Sequence, residues 1–453
     1  MKAIILAAGQ GKRMKSTKQK IMHQILGKPM VQYVAEACRD AGIADITLVV
    51  SSQSDDIRNV LPSYNYAIQA LQLGTGHAVQ AAAGHIRPED DVLILYGDMP
   101  LVTAEFIREF IAFYKKKNCA GAVTAVYQPH IKDFGRVYAD ENGLFESIVE
   151  VRDLKPLNPH TDWGNTGIYL FKGAALQEGL AGISNDNSQG EFYLTDVPKI
   201  LRNTGQLFYV YTTREDIDIF SGINTQAQLA EAARLMRKRI NLRHMENGVQ
   251  ILDPDTTYID KSVVIAAGAV IYPGCILEGM CKIDEDAIIG PYTHMKDTII
   301  GRGTAVRQSV LTGAAIGQNT EVGPFAYLRP GAVVGNKCRV GNFVEIKNAT
   351  LGNETKMAHL AYIGDADVGS NVNYGCGAIV ANYDGKKKHR TVIGDGAFIG
   401  CNSNLVSPVD IGEGAFIAAG STIHEAVPEY SMAIARERQT TKVNWVKEKE
   451  AQA

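Results

Sequence analysis

Aliphatic residues recur every six positions through most of the second half of the chain, and this period limits how that half can fold. Many of them precede a glycine, as in "IGQNTE", "VGNKCR" and "VGNFVE". A fixed short period is typical of a solenoid, whose repeats bury one apolar position against the next. The pattern predicts a parallel β-helix of hexapeptide repeats, with three short strands and about 18 residues per coil. The repeating positions are Ile259, Ile265, Ile271, Leu277, Ile283, Ile289, Ile316, Val322, Leu328, Val334, Val340, Ile346, Ile363, Val368, Ile393, Ile399, Leu405, Ile411, Ile417 and Ile423.

Two kinds of irregularity interrupt this period. Slips of one residue, which a turn can absorb without moving the inward aliphatic off the core, occur at Ile300, Leu311, Ile316, Leu351 and Val368. Between Val380 and Ile393 the polar segment "ANYDGKKKHRTV" replaces the repeat. We expect a loop that leaves the β-helix at this segment.

The first half of the chain follows a different pattern, in which short aliphatic or β-branched runs alternate with longer amphipathic segments. This alternation predicts a Rossmann-like α/β domain with a mostly parallel sheet and helices on both faces. Ligands of such sheets bind at the carboxyl ends of the strands. The predicted strands are residues 3–6, 46–50, 91–98, 121–127, 166–171 and 207–213, and the predicted helices are residues 30–42 and 76–86.

A segment of strong helix formers without proline or glycine, "TQAQLAEAARLMRKRINLRHME", joins the two halves. The chain of 453 residues is longer than one core usually serves. We therefore expect an α/β domain at residues 1–224, a linker helix at 225–246 and a β-helix domain with a C-terminal tail at 247–453.

Charge and cysteine usage narrow the class of protein. The net charge of -3 and the lack of a long basic run argue against nucleic acid as a partner. The first residues have too few apolar positions for a signal peptide, and no stretch is long enough to cross a membrane. The seven cysteines are scattered, without a Cys-x-x-Cys pair, which favours reduced thiols. We expect a cytoplasmic protein with no membrane partner.

The segment "LAAGQGKRM" follows the first predicted strand and suits a phosphate-bearing ligand. Its small residues let the backbone approach phosphate oxygens, and Lys12 and Arg13 add positive charge. Met14 stands where a dinucleotide fingerprint needs glycine, and no G-K-[ST] sequence forms a P-loop. Asp98, at the end of "DVLILYGD", is well placed to hold a divalent metal against nucleotide phosphates.

The β-helix carries polar residues that a scaffold does not need. Arg329 and Lys347 stand at coil positions that can face one groove, and two cations suit a phosphate-bearing substrate. His359 can serve as a general base, because the unperturbed pKa of an imidazole lies near neutral pH. It heads a segment that also holds Tyr362, Asn373, Asn382 and Tyr383. Cys376 and Cys401 have no basic neighbour in sequence that would activate either thiol as a nucleophile.

Motifs along the whole chain resemble one family. "LAAGQGKRM", "KIMHQILGKPM", "QLGTGHA", "YGDMPL", "NTGIY" and "GEFYLTD" follow one another as in sugar-1-phosphate nucleotidyltransferases. With the hexapeptide repeats, the chain resembles the bacterial bifunctional enzymes that N-acetylate glucosamine 1-phosphate and then transfer a uridylyl group to the product. The resemblance implies a left-handed β-helix, UTP and acetyl-CoA as co-substrates, Mg²⁺ and a homotrimer, and UDP-N-acetylglucosamine for cell-wall precursors as the product.

For the first half, the resemblance implies the following roles. Gln69, Gly74 and Thr75 read the uracil, whereas Asp98 and Asn224 hold Mg²⁺. Gly135, Glu150 and Asn165 grip the amino sugar. The remaining residues implied for the nucleotide and its triphosphate are Leu6, Ala7, Ala8, Gly9, Arg13, Lys20, Tyr96, Gly97 and Asn224. "TKQK" replaces the common Leu-Pro-Lys before Lys20, so Lys18 is an alternative phosphate contact.

For the second half, the resemblance implies that His359 is the general base. Glucosamine 1-phosphate would be bound by Arg329, Lys347, Tyr362, Asn373, Asn382 and Tyr383. Acetyl-CoA would contact Cys376, Cys401, Ala419 and Arg436. Cys376 and Cys401 depart from the family, which more often has alanine and serine there, so the effect of Cys401 on acetyl-CoA affinity is open.

Two other functions compete with this interpretation. The β-helix could serve only to trimerise an enzyme with a single nucleotidyltransferase activity, or the chain could be a non-catalytic assembly subunit. Asp98, Asn224 and the glycine-rich turn argue against the second alternative, and His359, Arg329 and Lys347 argue against the first.

Overall fold

A computed structural model of the chain describes residues 1–52 and 55–451. It comprises two compact units, Met1–Met236 and Arg237–Ala453. The long helix Gln226–Glu246, expected at 225–246, contains the division between them.

The first unit is built on a mixed sheet in which most strands are parallel. Strand Trp163–Lys172 is antiparallel to both of its neighbours, and the other neighbouring pairs along the sheet are parallel. A short hairpin, Arg136–Ala139 with Phe145–Val149, extends from Trp163–Lys172. In spatial order the strands of the sheet are Phe208–Thr213, Gly121–Tyr127, Trp163–Lys172, Asp91–Tyr96, Lys2–Leu6, Asp45–Ser51 and Asn65–Gln69.

Helices and short turns complete this unit, together with the two-residue strands Gln24–Ile25 and Lys28–Pro29. The predicted helix 76–86 is shorter in the structure, since it ends at Ala81 and a 3-10 turn containing Gly84 follows. The α-helices are Met30–Asp40, Asp55–Val60, Thr75–Ala81, Ala104–Lys117, Gly173–Gly182 and Val197–Asn203. The 3-10 helices are Lys12–Met14, Lys20–Met22, Ala83–His85, Val151–Asp153, Leu194–Asp196 and Ile217–Phe220.

The second unit is a left-handed parallel β-helix. The hexapeptide period predicts the parallel β-helix, and the family resemblance implies its hand. Each strand pairs in parallel with the strand one coil further along, for example Val270–Ile271 with Ile288–Ile289. The strands are Gln250–Ile251, Tyr258–Ile259, Val264–Ile265, Val270–Ile271, Ile276–Glu278, Lys282–Ile283, Ile288–Ile289, His294–Lys296, Ile299–Ile300, Ala305–Val306, Val310–Thr312, Ala315–Ile316, Glu321–Val322, Tyr327–Leu328, Val333–Val334, Arg339–Lys347, Thr350–Leu351, Lys356–Gly364, Ala366–Val368, Asn373–Tyr374, Ile379–Ala381, Thr391–Ile393, Phe398–Ile399, Asn404–Val406, Val409–Ile411, Phe416–Ile417, Thr422–Ile423 and Met432–Ala433. The C-terminal tail ends with the helix Trp445–Glu450.

The aliphatic residues of the six-residue period form the core of the β-helix. All twenty repeating positions are buried, and so are Ile300, Leu311 and Leu351, where the period slips. The expected loop also occurs, because the chain leaves the coil after Ile379–Ala381 and returns at Thr391–Ile393. Among the residues that the structure describes, no helix is both long and apolar enough to cross a bilayer.

Candidate active sites

A cavity opens at the carboxyl ends of strands Lys2–Leu6 and Asp91–Tyr96, where a parallel sheet is expected to bind its ligand. The backbone amide of Gly97 donates to the carbonyl of Leu6 at 2.9 Å, and a Cβ at Gly97 would lie 3.3 Å from that oxygen. Glycine therefore lets the two strand ends close together. The cavity is lined by Leu6, Ala7, Ala8, Gly9, Lys20, Ile21, Gln69, Gln72, Gly74, Thr75, Ala78, Tyr96, Asp98 and Glu191.

Lys20 joins the two residues expected to hold a metal. Its Nζ donates to Oδ1 of Asn224 at 2.8 Å and forms a short ion pair with Oδ2 of Asp98. The backbone amide of Ile223 donates to the carbonyl of Asp98 at 3.0 Å, which anchors the segment that carries Asn224. The end of strand Asp91–Tyr96, the 3-10 turn Lys20–Met22 and the residues just before the linker helix therefore meet at one point of this unit.

This arrangement fits a divalent metal with few protein ligands. The ammonium of Lys20 already stands between a carboxylate oxygen and an amide oxygen, both of which are ligands that Mg²⁺ takes in proteins. Mg²⁺ commonly uses one or two such ligands and completes its shell with water and substrate phosphates. Among the described residues, there is no group of three or more His, Cys, Asp or Glu side chains that would form an all-protein metal cage.

Gln69 and Gly74 form the part of the cavity that the resemblance assigns to the base. The side chain of Gln69 is buried, and its Nε2 lies 3.1 Å from the carbonyl of Gly74 and 3.1 Å from Nδ1 of His77. Gly74 has φ of 117°, and a Cβ there would lie 2.5 Å from the carbonyl oxygen of Phe192. Only glycine fits this turn, which presents main-chain groups beside Gln69.

Gly135, Glu150 and Asn165 come together where the hairpin Arg136–Ala139 with Phe145–Val149 meets strand Trp163–Lys172. The backbone amide of Asn165 donates to the backbone carbonyl of Gly135 at 2.8 Å. A Cβ at Gly135 would lie 3.3 Å from Oε2 of Glu150. Burial raises the pKa of Glu150, which a hydrogen bond with Thr195 partly offsets. The Asn165 Nδ2 donates to the Tyr169 hydroxyl at 3.1 Å. A carboxylate and an amide therefore face one small space.

Tyr96, also expected at the nucleotide, is held by a neighbouring side chain. Thr75 hydrogen-bonds to Tyr96, and burial raises the pKa of Tyr96, so its phenol stays neutral.

A second cavity adjoins the first at Ala7 to Gly9. It is lined by Lys12, Lys15 and Lys18, which makes it the more basic of the two. Arg13 is exposed on the turn Lys12–Met14 and lines neither of these two cavities.

On the β-helix, Arg329 and Lys347 are neighbours in one column. Leu328 pairs with Ile346, and the next residues, Arg329 and Lys347, follow in the same register. Nη1 of Arg329 donates to Oε1 of Glu345 at 2.8 Å, which raises the pKa of Arg329. Lys388, from the inserted loop, faces Lys347 and lowers the pKa of Lys347. Three cations thus surround one stretch of the surface.

The inserted loop is fixed to the coil by hydrogen bonds around Asp365. Asp365 accepts from Nδ2 of Asn348 at 2.6 Å and from the buried side chain of Asn382. Burial acts to raise the pKa of Asp365, but these hydrogen bonds and the nearby lysines outweigh it and lower the pKa. Asn382 and Tyr362 also crowd Gly364, where a Cβ would lie 2.7 Å from Nδ2 of Asn382 and 2.4 Å from the Tyr362 hydroxyl. Tyr383 is exposed at the loop surface.

His359 is exposed at a corner of the β-helix, with Asn342 as its in-register neighbour. Nδ1 of His359 lies 3.1 Å from Oδ1 of Asn342, so that Nδ1 carries the hydrogen and Nε2 is the basic nitrogen. Asn373 is exposed on the next coil, where it pairs with Lys356. The histidine, the three cations and the loop therefore belong to the same few coils.

The residues expected to contact acetyl-CoA continue this corner. Tyr374 pairs with Ile399 and Ile399 with Ile417, so Cys376, Cys401 and Ala419 occupy the same corner position on successive coils. All three are exposed. Arg436 lies at the end of the column, with Cδ 4.0 Å from the position of a Cβ at Gly420.

Sequence reasoning missed residues of both sites. They include Ile21, Gln72, Ala78 and Glu191 in the cavity of the first unit, and Asn342, Glu345 and Lys388 on the β-helix. Lys388 carried a signal, because it ends the basic run Lys386 to Lys388 within a loop that approaches a predicted phosphate site. Asn342 and Glu345 carried none of their own. Only the register of strands Arg339–Lys347 and Lys356–Gly364 sets Asn342 against His359 and Glu345 against Tyr362.

Two family models match parts of the chain. Residues 3–161 match the MobA-like NTP transferase domain, and residues 313–348 and 390–425 match the bacterial transferase hexapeptide repeats. Fold and site together define a nucleotidyltransferase joined to a hexapeptide-repeat acyltransferase.

Curated relatives extend the likeness over nearly the whole chain. The bifunctional protein GlmU of Acetivibrio thermocellus is 47% identical over 98% of this chain and 96% of its own length. The GlmU proteins of a Geobacillus species and of Caldanaerobacter subterraneus are 45% and 46% identical, over 98% and 99% of this chain and 97% and 98% of their own lengths. The chain belongs to the family of bifunctional GlmU proteins. It is accordingly an enzyme that combines uridylyl transfer with acetyl transfer.

Proposed function

We propose that the acetyltransferase site at His359 makes N-acetylglucosamine 1-phosphate and that the cavity at Asp98 converts this product to UDP-N-acetylglucosamine. The proposal divides the chain into a uridylyltransferase domain at 1–224, a linker helix at 225–246 and an acetyltransferase domain at 247–453. The observation that carries it is the hydrogen bond between His359 and Asn342, on the strand that ends at the cation Lys347, since a β-helix that serves only as a scaffold needs neither.

In the uridylyltransferase domain the chain would act by positioning and charge. Asp98 and Asn224 would hold Mg²⁺, which when bound neutralises phosphate oxygens. Gln69, Gly74 and Thr75 would select uracil, and Gly135, Glu150 and Asn165 would hold the acetylated amino sugar. The sugar phosphate oxygen then attacks the α-phosphorus of UTP and pyrophosphate leaves, without a protein nucleophile.

The remaining groups of this domain would bind the rest of the nucleotide. Lys20 is the preferred contact for the phosphates over Lys18, because Lys20 already lies at Asp98. Arg13 would reach the triphosphate from outside the two cavities. The backbone of Leu6 to Gly9, with Tyr96 and Gly97, would line the nucleotide.

In the acetyltransferase domain the amine of glucosamine 1-phosphate would attack the thioester carbonyl of acetyl-CoA. Nε2 of His359 would take the proton from the nitrogen, and CoA would leave as the thiol after protonation. Arg329, Lys347 and Lys388 would bind the phosphate, while Tyr362, Asn373, Asn382 and Tyr383 would hold the sugar. Acetyl-CoA would lie along the corner formed by Cys376, Cys401 and Ala419, with Arg436 near its phosphates.

The assembly and location follow the same proposal. Hexapeptide-repeat β-helices bury a face between copies, and we propose a homotrimer through this unit. The supply of UTP and acetyl-CoA makes the cytoplasm the expected compartment, where the five buried cysteines stay reduced.

One experiment tests the two activities separately. Thiol release from acetyl-CoA with glucosamine 1-phosphate, and pyrophosphate release from UTP with N-acetylglucosamine 1-phosphate, are measured on the parent and on His359→Ala. We expect thiol release to fall by at least ~10²-fold, as for loss of a general base, with pyrophosphate release unchanged. His294→Ala, at a half-buried histidine that pairs with Glu278 elsewhere on the β-helix, is the matched control.

Other outcomes would contradict the proposal. A parent that releases no thiol would make the β-helix a scaffold. A preference for glucose 1-phosphate over N-acetylglucosamine 1-phosphate in the pyrophosphate assay would overturn the assigned sugar.

A further inference from the structure

Two exposed thiols stand next to each other on the β-helix. Because Tyr374 pairs with Ile399, Cys376 and Cys401 fall at the same corner position of successive coils. The backbone amide of Asn402 donates to the carbonyl of Cys376 at 2.8 Å, which holds the two corners together. Both cysteines are exposed, whereas the other five are buried.

The spacing of the two corners suits a disulfide. Neighbouring strands of a sheet lie about 4.8 Å apart, and disulfide-bonded cysteines have Cα atoms about 4.4–6.8 Å apart. The two side chains leave equivalent positions of parallel coils, so a bond between them needs a change of side-chain rotamers and little movement of the backbone.

The surroundings favour exchange chemistry at this pair. Met357 pairs with Tyr374, so His359 occupies the same corner one coil before Cys376. Cys376 had no basic neighbour in sequence, but the fold supplies an imidazole that can accept a thiol proton. On the far side the corner continues to Ala419, near Arg436.

We propose that Cys376 and Cys401 are a modification site, a dithiol that is oxidised to an intramolecular disulfide by CoA disulfide. The inference rests on the proposed function in one respect, namely that acetyl-CoA lies along this corner and that the CoA portion of the disulfide binds there too. A groove that binds the pantetheine arm brings its sulfur to the corner that carries the two thiols.

The reaction balances as two successive exchanges. One cysteine thiolate attacks a sulfur of CoA disulfide, which forms a protein–CoA disulfide and breaks the original S–S bond, releasing one CoA thiolate. The second cysteine thiolate then attacks the protein sulfur and releases the other CoA. Two protein thiols are oxidised, one CoA disulfide is reduced to two CoA molecules, and the two cysteine protons end on the released thiols.

Oxidation at this place blocks the acetyl-CoA groove. A covalently bound CoA fills the groove, and the closed disulfide changes the surface that the thioester contacts. Acetyl transfer is lost and a thiol reductant restores it, while uridylyl transfer in the other unit continues.

The test treats the full-length chain with CoA disulfide and, in parallel, with glutathione disulfide. Peptide mapping by mass spectrometry follows the state of each cysteine, and both activities are assayed before and after the addition of dithiothreitol. Cys376→Ala and Cys401→Ser are treated in the same way, each compared with its own reduced form. We expect a Cys376–Cys401 crosslink in the parent, a stable CoA adduct on the remaining thiol of each variant, and faster reaction with CoA disulfide.

Each contrary result overturns one part of the proposal. Free thiols at both positions, or a separate CoA on each, overturn the dithiol. An oxidised parent that keeps its acetyl transfer overturns the block, and equal rates with both disulfides overturn guidance by a CoA groove. If the reduced parent has no acetyl transfer, the proposed function fails, and the peptide map still decides whether the two thiols form a pair.

Discussion

Nδ1 of His359 lies 3.1 Å from Oδ1 of Asn342, its in-register neighbour on the preceding coil. The amide oxygen accepts the hydrogen of Nδ1, so the lone pair needed for proton transfer is on Nε2. Asn342 therefore fixes both the tautomer and the orientation of the imidazole, which makes it a positioning residue for acetyl transfer in the proposed mechanism.

We predict that Asn342→Ala lowers kcat for acetyl transfer on the order of 10- to 100-fold, because the imidazole loses its orientation. KM for acetyl-CoA should change little. Asn342→Asp keeps an acceptor at Nδ1, and its charge favours the imidazolium, so the rise of the pH–rate profile should move to higher pH. Steady-state kinetics over a pH series checks both variants. An unshifted profile for Asn342→Asp would show that Asn342 has no influence on the base.

Lys20 should matter more than Lys18 for uridylyl transfer. Lys20 contacts Asp98 and Asn224, whereas Lys18 lines the outer, more basic cavity. We expect Lys20→Met to lower kcat for pyrophosphate release by ~10²-fold, because a cation near the reacting phosphates is removed. Lys18→Met is the matched control, with a smaller loss. The reverse order would assign the phosphate contact to Lys18.

Lys388 should contribute to binding of glucosamine 1-phosphate. Lys388 faces Lys347 and lowers the pKa of Lys347, because the two ammonium groups repel each other. A bound phosphate would relieve this repulsion. We predict that Lys388→Met raises KM for glucosamine 1-phosphate by roughly tenfold or more, the loss expected for one charge-assisted hydrogen bond. KM for acetyl-CoA should stay unchanged. Lys386→Met, in the same loop, is the control, and an equal rise in KM there would indicate a general charge effect.

The ionised carboxylate of Glu150 should lower the free energy of unfolding at neutral pH, although the residue is expected to bind the sugar. Burial raises its pKa, so its folded-state carboxyl binds a proton more readily than in the unfolded chain. The stability this gives is present below the unfolded pKa of about 4.3 and is lost as pH rises through the folded pKa. We predict that Glu150→Gln raises Tm at pH 7 but not at pH 4, while KM for N-acetylglucosamine 1-phosphate increases.

Exposed Glu146 provides the control for this experiment. Glu146→Gln on the neighbouring hairpin strand should leave Tm unchanged at both pH values. A Tm of Glu150→Gln that is equal to or below that of the parent at pH 7 would mean that the Glu150 carboxylate is stabilised in the fold.

The architecture could be predicted from sequence because its signals are local. Every aliphatic of the six-residue period is buried, since the period of the pattern equals the period of the coil. Six strands of the first unit were predicted within a few residues, because each contains a local aliphatic or β-branched run. Strand Asn65–Gln69 and the hairpin Arg136–Ala139 with Phe145–Val149 were not predicted. Helix Ala104–Lys117 was not predicted, although Thr103 accepts a hydrogen bond from the amide of Phe106 and caps it.

The contacts within the sites could not be predicted in the same way. Lys20 meets residues 78 and 204 positions away, and nothing in the local pattern records such distances. The pairing of Asn342 with His359 depends on the register between coils, and the approach of Lys388 to Lys347 depends on how a loop folds back. Resemblance to a family named candidate residues, but it did not give their partners.

His244 should make the β-helix unit sensitive to acid. Its side chain is buried, its Nε2 has no hydrogen-bond partner within the described residues, and burial, aided by Arg243, lowers its pKa from 6.5 to about 4. Because the unfolded chain binds this proton more tightly, stability is complete above pH 6.5 and falls as the pH drops toward about 4, by on the order of 3 kcal/mol. His244→Leu removes this proton and fills a similar volume, so its Tm should fall less than that of the parent between pH 7 and pH 4.5. His424→Leu, at an exposed histidine of the same unit, should follow the parent. Differential scanning calorimetry measures all three, and parallel Tm curves for the parent and His244→Leu would exclude His244 as the source of acid sensitivity.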